Sequence, residues 1–456
     1  MHGVHGVGGS NPLVPTIFYK LGHVLITKLA NYKVYLSSQQ TSLRQELLAG
    51  FTTFFTMAYI TIVAPNMYAA SGMNFESSFL AVCLVTSLAT LIVGVWSNLP
   101  IGVAPGLGLL SYFCFVVIGK LDYSWELALG AVFLSGLIFL AITITRIRQY
   151  IISAIPQSLG LAITAGIGFF IGFIALKNVG VIIEDQATLV SMGHLAHLQI
   201  ILFFLGFLLI AVLDGHNIKG AMLISILVVS VLGNVLGLNH FEGFFAWPHF
   251  DFSNWGAFEV KPLLTLNAFS VLFTFVIIAL FDSTGSLLGI TKLIHFKNPK
   301  LEARSVSKAL FAESFATIGA SFVGASTLSP YIESAAGIKA GGRTGLTAVI
   351  IAVCFISMLF FAPLAKGIPP FATAGALFYV ACLMMKPFAD VAWDEPTELI
   401  PAIVTLLIIP LSFSIADGVG LGIISYVILK VAHQKVKDIH PMMWVLAFVF
   451  LLYFSL

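Results

Sequence analysis

The sequence predicts an all-α polytopic membrane protein with about fourteen transmembrane segments, built as a seven-plus-seven inverted repeat. Of its 456 residues, 59% are hydrophobic and 9% are charged, and the mean hydropathy is +1.02. A soluble domain could not bury so much apolar surface. Apolar stretches of roughly 15–22 residues recur from about residue 47 onward, close to the ~20 residues that a helix needs to cross ~30 Å of hydrocarbon.

The net charge of +2 is spread over short loops, which excludes a nucleic-acid partner and makes charge a reporter of topology. Basic residues cluster before the first span, after the fourth and after the eighth, and the positive-inside rule places these clusters in the cytoplasm. The residues are Lys20, Lys28, Lys33 and Arg44, then Arg146 and Arg148, then Lys292, Lys297, Lys300, Arg304 and Lys308. Residues 1–43 are therefore expected to form a cytoplasmic tail, and its first stretch, MHGVHGVGGSNP, is expected to be disordered and not a cleaved signal.

Signals of enzymes and of bound metals are absent from the sequence. The four cysteines, Cys83, Cys114, Cys354 and Cys382, stand singly in apolar segments with no CxxC spacing, so they predict packing residues. The motifs GxxxxGK[ST], HExxH, GxSxG and DDxxD do not occur. We expect no enzyme activity, no cofactor and no metal.

The apolar stretches form two sets of seven spans, with repeats over 44–237 and 267–440. The spans are expected near 47–66, 78–97, 103–118, 125–144, 156–176, 197–213 and 218–237, then near 267–290, 309–324, 330–340, 345–363, 370–386, 399–413 and 416–432. The aromatic-rich connector over 238–266 is expected outside the cell. The apolar stretch 441–456 forms either an extra short span or an interfacial segment, and it becomes the fourteenth span if 399–432 crosses only once.

Because seven is odd, the second repeat must enter the membrane from the opposite side. The third span of each repeat is interrupted. It reads GVAPGLGLLSYF in the first repeat, with Pro105 and Gly106 breaking any helix, and GASTLSPYIESAAG in the second. Matched broken segments at corresponding positions indicate a transport site at the bilayer midplane.

Two carboxylates lie in this predicted membrane interior, Asp282 in span 8 and Glu333 in span 10. An ionisable group there is expensive, so both are candidate substrate-binding and proton-coupling residues. Ser286 lies one helical turn from Asp282, and Gly285 and Gly289 are expected to let another backbone approach. Alternatively, Asp282 caps its helix beside the lysine-rich loop.

The neighbours of Glu333 suit a flat polar heterocycle. Tyr331, Ile332 and Ser334 flank it and offer an aromatic face and hydrogen bonds. Alternatively, Glu333 only accepts backbone N–H groups of the broken segment. Two further acids are interpreted as structural: Glu313 as an end-of-helix acid paired with the basic loop, and Asp417 as the turn of a helical hairpin.

Several stretches resemble the AzgA-like adenine/guanine/hypoxanthine permeases of the nucleobase cation symporter-2 family. They are GFTTFFTMAYITIVAPNMYAASGM, GVAPGLGLLSYF, AIPQSLGLAITAGIG, LFDSTGSLLG, YIESAAGIKAGGRTGLTAV and ELIPAIVTLLIIPLSFSIADGVGLGIISYVILK. The resemblance implies a core domain from spans 1–4 and 8–11 and a gate domain from spans 5–7 and 12–14. It also implies proton-coupled import of purine nucleobases across a bacterial inner membrane, with Asp282 and Glu333 as the family's two acidic ligand residues, and homodimers are common in this fold.

The sequence departs from the family at the third and tenth spans. Leu110 stands where the family has asparagine and is followed by Ser111, so an amide expected to read a purine edge is missing. The family's threonine-rich STxTTYIES reads STLSPYIES here, so Leu328 and Pro330 alter the polarity and backbone freedom beside Glu333, and Ala64 replaces an asparagine before Pro65. Ser111, Ser286 and Ser334 are candidates to compensate. The alternatives are another flat heterocycle or small organic anion, such as uracil, xanthine or urate, or passive passage through a channel.

Overall fold

Helices dominate the structure, and nine of those in the described part of the chain are long and apolar enough to cross a bilayer. The computed structural model describes residues 39–145, 154–241, 243–264, 266–294, 296 and 298–455. Almost all of the predicted N-terminal tail, and with it Arg146, Arg148 and Lys297, lies outside the described residues. The prediction of an all-α polytopic membrane fold is confirmed.

The segments follow the predicted order and are numbered as spans 1 to 14. They are Leu43–Met57 with Ile60–Ala70 (span 1), Phe75–Ser97 (2), Val103–Pro105 with Leu107–Ser111 and Tyr112–Ile118 (3), Trp125–Ile144 (4), Gln157–Val179 (5), Leu198–Gly215 (6), Ala221–Val235 (7), Leu266–Thr291 (8), Pro299–Phe322 (9), Leu328–Pro330 with Ser334–Lys339 (10), Gly345–Ser357 with Met358–Phe361 and Ala362–Lys366 (11), Pro370–Met385 with Lys386–Asp390 (12), Pro396–Ser412 (13) and Ile415–Ala432 (14). A further helix, Pro441–Ser455, follows.

Short polar side chains begin many of the helices. Ser42, Asn74, Ser124, Thr344 and Ser414 each accept a hydrogen bond from a backbone N–H two or three residues further on. These side chains satisfy N–H groups that have no partner within the helix. Polar residues at the edges of the apolar stretches therefore mark where these helices begin.

Packing between spans shows the inverted repeat. Span 5 packs against span 12, and the contact of span 6 with span 12 is mirrored by that of span 13 with span 5. Likewise, the contact of span 2 with span 11 is mirrored by that of span 9 with span 4. The contact of span 1 with span 11 is mirrored by that of span 8 with span 4. A second repeat that enters from the opposite face produces these paired contacts.

Span 1 lies where it was predicted, as one apolar stretch over Leu43–Ala70, and i→i−3 hydrogen bonds at Ala58 and Tyr59 tighten its backbone between two helices. Two local predictions were wrong. Span 9 begins at Pro299, not near residue 309, because the Asn298 side chain caps a polar first half of the helix. Asp417 lies in the first turn of span 14. The turn before that helix is instead at Phe413, which has a φ of +53°.

The C-terminal helix Pro441–Ser455 is additional to the fourteen spans, because residues 396–432 form two helices packed side by side. It packs along span 14, and its Tyr453 hydroxyl lies 3.3 Å from Asp417 Oδ1, at the far end of that span. The helix therefore covers the depth of span 14. Sequence analysis also missed a short hairpin in which β2 (Ile182–Asp185) pairs with β3 (Leu189–Met192).

Candidate substrate site

The site forms where the two interrupted spans meet. In span 3 the extended segment Val103–Pro105 (β1) pairs antiparallel with Leu328–Pro330 of span 10 (β4), with Ala104 opposite Ser329. Beyond the strands, the N–H of Gly106 donates to the Thr327 carbonyl at 3.1 Å. This pairing satisfies backbone groups that have no helix to bond them, and it brings the segments together as predicted.

Asp282 lies in the interior of span 8, beside this pairing. A β-carbon built on Gly106 would be 2.8 Å from Asp282 Oδ2 and 2.7 Å from Ser329 Oγ, so both side chains press against the Gly106 backbone. Asp282 Oδ2 is buried and has no hydrogen-bond partner among the described residues. Asp282 is thus directed at the place where β1 pairs with β4, which we call the crossing, and not at the basic loop.

Glu333 immediately precedes the short helix Ser334–Lys339 of span 10. Its Oε1 accepts a 2.8 Å hydrogen bond from the hydroxyl of Tyr59. Glu333 follows β4 by three residues and Asp282 lies against Gly106 next to β1, so two ionised carboxyl groups here would repel one another. The structure therefore brings together the two acids that sequence analysis singled out.

Tyr59 is a site residue that sequence analysis missed. It is fully buried in the tightened turn of span 1 between Met57 and Ile60. A lone tyrosine in an apolar span gave no periodic or motif signal. The contact depends on the tertiary approach of span 1 to span 10.

Two predicted ligand residues hold the crossing together. The Ser334 hydroxyl is fully buried and accepts a 3.0 Å hydrogen bond from the Gly102 N–H. Tyr331 is 5% exposed; its N–H donates to the Gly102 carbonyl and its hydroxyl donates to the Pro105 carbonyl at 2.6 Å. Both side chains tie span 10 to span 3, and little of the Tyr331 ring is open to a ligand.

The remaining predicted residues differ in exposure. Leu110 and Ser111 are buried within span 3, Ser286 is half-buried on span 8, and Ile332 is 58% exposed. The expectation that a backbone approaches at Gly285 and Gly289 was wrong. A β-carbon at either glycine would meet nothing within 4 Å in the described parts of the protein.

A second layer of polar groups surrounds the crossing. The Ser326 N–H donates to the Tyr68 hydroxyl oxygen at 2.6 Å, while Ser326 Oγ and Thr327 Oγ1 are buried without partners among the residues described. Glu313 lies in the middle of span 9, is 2% exposed and accepts a 2.6 Å hydrogen bond from Ser283. The interpretation of Glu313 as an end-of-helix acid was therefore wrong.

Glu46 is another buried carboxylate that the sequence did not single out. It is fully buried in the first turn of span 1, and it accepts hydrogen bonds from the Arg343 N–H at 3.0 Å and the Thr347 hydroxyl at 2.6 Å. The Thr347 N–H donates a third bond at 3.1 Å. Glu46 thus caps the start of span 11, just after the helix that Glu333 precedes.

Comparisons with known proteins agree with this geometry. The profile of the Xan_ur_permease family, a permease family, matches residues 44–421. The chain is 39% identical to the adenine permease AdeP of Escherichia coli K12 over 412 residues, which cover 90% of this chain and 93% of that protein. It is 38% identical to the guanine/hypoxanthine permease PbuO of Bacillus subtilis, covering 91% and 98% of the two chains.

Among solved structures, the transmembrane domain of the cyanobacterial bicarbonate transporter BicA superposes with a TM-score of 0.62. The alignment covers 84% of this chain and 97% of that domain at 15% sequence identity, which establishes a shared fold. The family match, the two relatives and the paired interrupted spans lead to the same assignment. The chain belongs to the Xan_ur_permease family of membrane permeases.

Proposed function

We propose that this nucleobase permease is a proton-coupled symporter that imports purine nucleobases such as hypoxanthine, adenine or guanine. The observation that carries the proposal is the convergence of Asp282 and Glu333 on the β1–β4 crossing. The adenine and guanine/hypoxanthine permeases that the chain resembles support purines as the substrate class. The lipid bilayer, a purine and protons are then its partners.

The two acids differ in what they offer a purine. Glu333 Oε1 is engaged by Tyr59, so its Oε2 is the oxygen left to accept a purine N–H. Asp282 Oδ2 is buried and unpartnered in the described structure, and as a protonated acid it would donate to a ring nitrogen or carbonyl. An ionised Glu333 beside a protonated Asp282 therefore matches the mixed donor and acceptor edge of a purine.

This division of roles couples the proton to the base. Two ionised carboxyl groups in a membrane interior repel one another, and a proton on Asp282 removes that repulsion. Proton and purine then bind best together from outside. Loss of the proton to the cytoplasm removes a donor from the purine and restores the repulsion, so both leave.

We further propose that spans 1–4 and 8–11 form a core that moves against a gate of spans 5–7 and 12–14, with the N-terminus in the cytoplasm of a bacterial inner membrane. The packing of spans 2, 4, 9 and 11 on one another, and of spans 5, 6, 7 and 12 on one another, supports the division. Movement of one body past the other would expose the site to each side in turn.

One observation favours a second candidate substrate. Leu110 is fully buried in span 3, so it offers no amide to read a purine edge. Without that amide, another flat heterocycle or small organic anion, such as uracil, xanthine or urate, is a candidate, because its donors and acceptors are placed differently from those of hypoxanthine, adenine or guanine. A passive facilitator is a further alternative, because the argument for proton coupling depends only on Asp282 and Glu333.

Uptake by cells that lack their own nucleobase transporters tests the substrate. We expect labelled hypoxanthine or adenine to accumulate against its gradient, to be displaced by unlabelled purines, and to be lost with a protonophore. Displacement by uracil or urate but not by hypoxanthine, adenine or guanine would favour the second candidate. Uptake that equilibrates and ignores the protonophore would favour a facilitator.

Variants of the two acids test the mechanism. Glu333→Gln and Asp282→Asn should both reach the membrane and lose concentrative uptake. Binding to purified protein separates them: Asp282→Asn keeps a permanent donor and should bind purine with little pH dependence, while Glu333→Gln should lose binding. Wild-type uptake and pH dependence in either variant would refute the role assigned to that acid.

A further inference from the structure

The connector between the two repeats carries an exposed aromatic surface. We define it as the aromatic patch: Phe244, Phe245, Trp247, Phe250 and Phe252, with exposed fractions of 64%, 61%, 83%, 56% and 53%. Single exposed apolar side chains are ordinary, but five large aromatic side chains exposed within nine residues of the chain mark a surface that contacts something other than water.

The connector is held at the ends of spans by hydrogen bonds. Its Ala246 N–H donates to the Phe360 carbonyl of span 11, its Gly256 N–H to the Phe322 carbonyl of span 9, and its Glu259 N–H to the Glu126 carbonyl of span 4. Phe322 is the last residue of its helix, and Glu126 lies in the first turn of its own. The connector backbone therefore lies level with the ends of the membrane helices.

Asn254 adds a buried anchor to the same face. It is 2% exposed, its N–H donates to Ser77 Oγ, and its side-chain amide donates to the Asn74 carbonyl and to Ser78 Oγ at the start of span 2. These bonds hold the connector, and with it the aromatic patch, against the end of span 2.

The aromatic patch is continuous with the membrane-facing side of span 11. Phe245 stacks on Phe360 with ring centroids 5.4 Å apart and planes at 6°, and Trp247 meets the same ring at 5.8 Å. Phe361 and Val353, further along span 11, are themselves 37% and 65% exposed. Tryptophan and other aromatic rings at this level are typical of the boundary between headgroups and acyl chains.

We propose that the aromatic patch is inserted into the headgroup region of the outer leaflet, so that lipid, and not a second copy or another protein, covers it. Because the connector is bonded to spans 2, 4, 9 and 11, this insertion sets the membrane depth of that group of spans. Depth measurements on protein reconstituted in phosphatidylcholine and phosphatidylglycerol vesicles test it.

Nitroxide labels on Trp247→Cys and Phe250→Cys, in a background without the four native cysteines, report accessibility to oxygen, which enters lipid, and to a water-soluble nickel complex. Gln186→Cys in the β2–β3 turn is the water control, and Val353→Cys on span 11 is the lipid control. We expect both patch labels to show an oxygen-to-nickel ratio well above Gln186→Cys and approaching Val353→Cys. Oxygen-to-nickel ratios equal to that of Gln186→Cys would overturn the proposal. Protection from both reagents would also overturn it, because it would indicate a protein partner.

A second measurement needs no cysteine removal. The fluorescence difference between the wild-type protein and Trp247→Phe isolates the emission of Trp247. In vesicles of lipids brominated near the headgroup, most of that difference should be lost. An unquenched difference would overturn the proposal even if the labelled variants failed to fold.

Discussion

The hydroxyl of Tyr59 donates a 2.8 Å hydrogen bond to Oε1 of Glu333, and this contact joins span 1 to the interrupted span 10. The tightened turn of span 1 therefore lies beside the extended segment of span 10. The bond holds one carboxylate oxygen of Glu333.

Removal of the Tyr59 hydroxyl should weaken substrate binding without unfolding the protein. We expect Tyr59→Phe to raise the KM for purine uptake about tenfold, equivalent to ~1.4 kcal/mol, because Glu333 is no longer oriented. Tyr379→Phe is the matched control, since its hydroxyl also donates to a carboxylate, Asp214, but away from the site. An unchanged KM in Tyr59→Phe would show that the bond has no part in recognition.

Gly106 tests the contact of Asp282 with the crossing. The β-carbon of Gly106→Ala would lie within 3 Å of both Asp282 Oδ2 and Ser329 Oγ, so at least one of these side chains must shift. We expect loss of uptake with normal membrane insertion. Gly285→Ala on span 8 meets open space and should transport normally; comparable uptake by the two variants would contradict the assigned geometry.

Glu46 should matter for stability. Glu46→Ala removes the acceptor of the buried Thr347 hydroxyl and of the partly buried Arg343 N–H, and an unsatisfied buried group costs about 1–3 kcal/mol. The thermal unfolding midpoint of the purified protein should fall by several degrees. Glu126→Ala, which removes a half-buried acid from the first turn of span 4, is the comparison and should have a smaller effect.

Two lysines near the C-terminal end of span 14 should differ in importance. Lys430 pairs with Glu398 at 2.9 Å, with side chains 6% and 17% exposed, whereas Lys435 pairs with Glu395 at 2.7 Å on the surface. Lys430→Met strands a buried carboxylate and should destabilise the protein by about 3–5 kcal/mol. Lys435→Met should shift the unfolding midpoint far less, and equal shifts would show that burial is not the cause.

The surface pair also predicts a pH dependence. The hydrogen bond from Lys435, with a second from Thr397, lowers the pKa of Glu395 from 4.5 to about 2. Since the folded-state pKa is the lower one, the contribution of Glu395 is complete above pH 4.5 and is lost as the pH falls towards 2. The difference in unfolding midpoint between wild type and Lys435→Met should therefore shrink over this range; a constant difference would exclude this linkage.

Much of the fold was predictable because hydrophobic length is a local property. Span 4 was predicted at 125–144 and runs from Trp125 to Ile144, and proline and glycine marked the interruptions at Pro105 and Pro330. The sequence did not predict the places where packing against other spans allows a polar or kinked stretch within a helix. The first half of span 9 and the tightened turn at Tyr59 are of this kind, since packing decides there whether the helix continues.

By itself, the sequence determined that the chain spans a membrane in two repeats, where their interruptions fall, and that Asp282 and Glu333 lie within the apolar interior. Only the tertiary structure decided which groups meet: Gly106 against Asp282, Tyr59 on Glu333, and Glu46 under span 11. The reason is physical. Burial and backbone breaks follow from neighbours along the chain, whereas hydrogen bonds between residues about 270 or 300 positions apart require the repeats to be folded around one another.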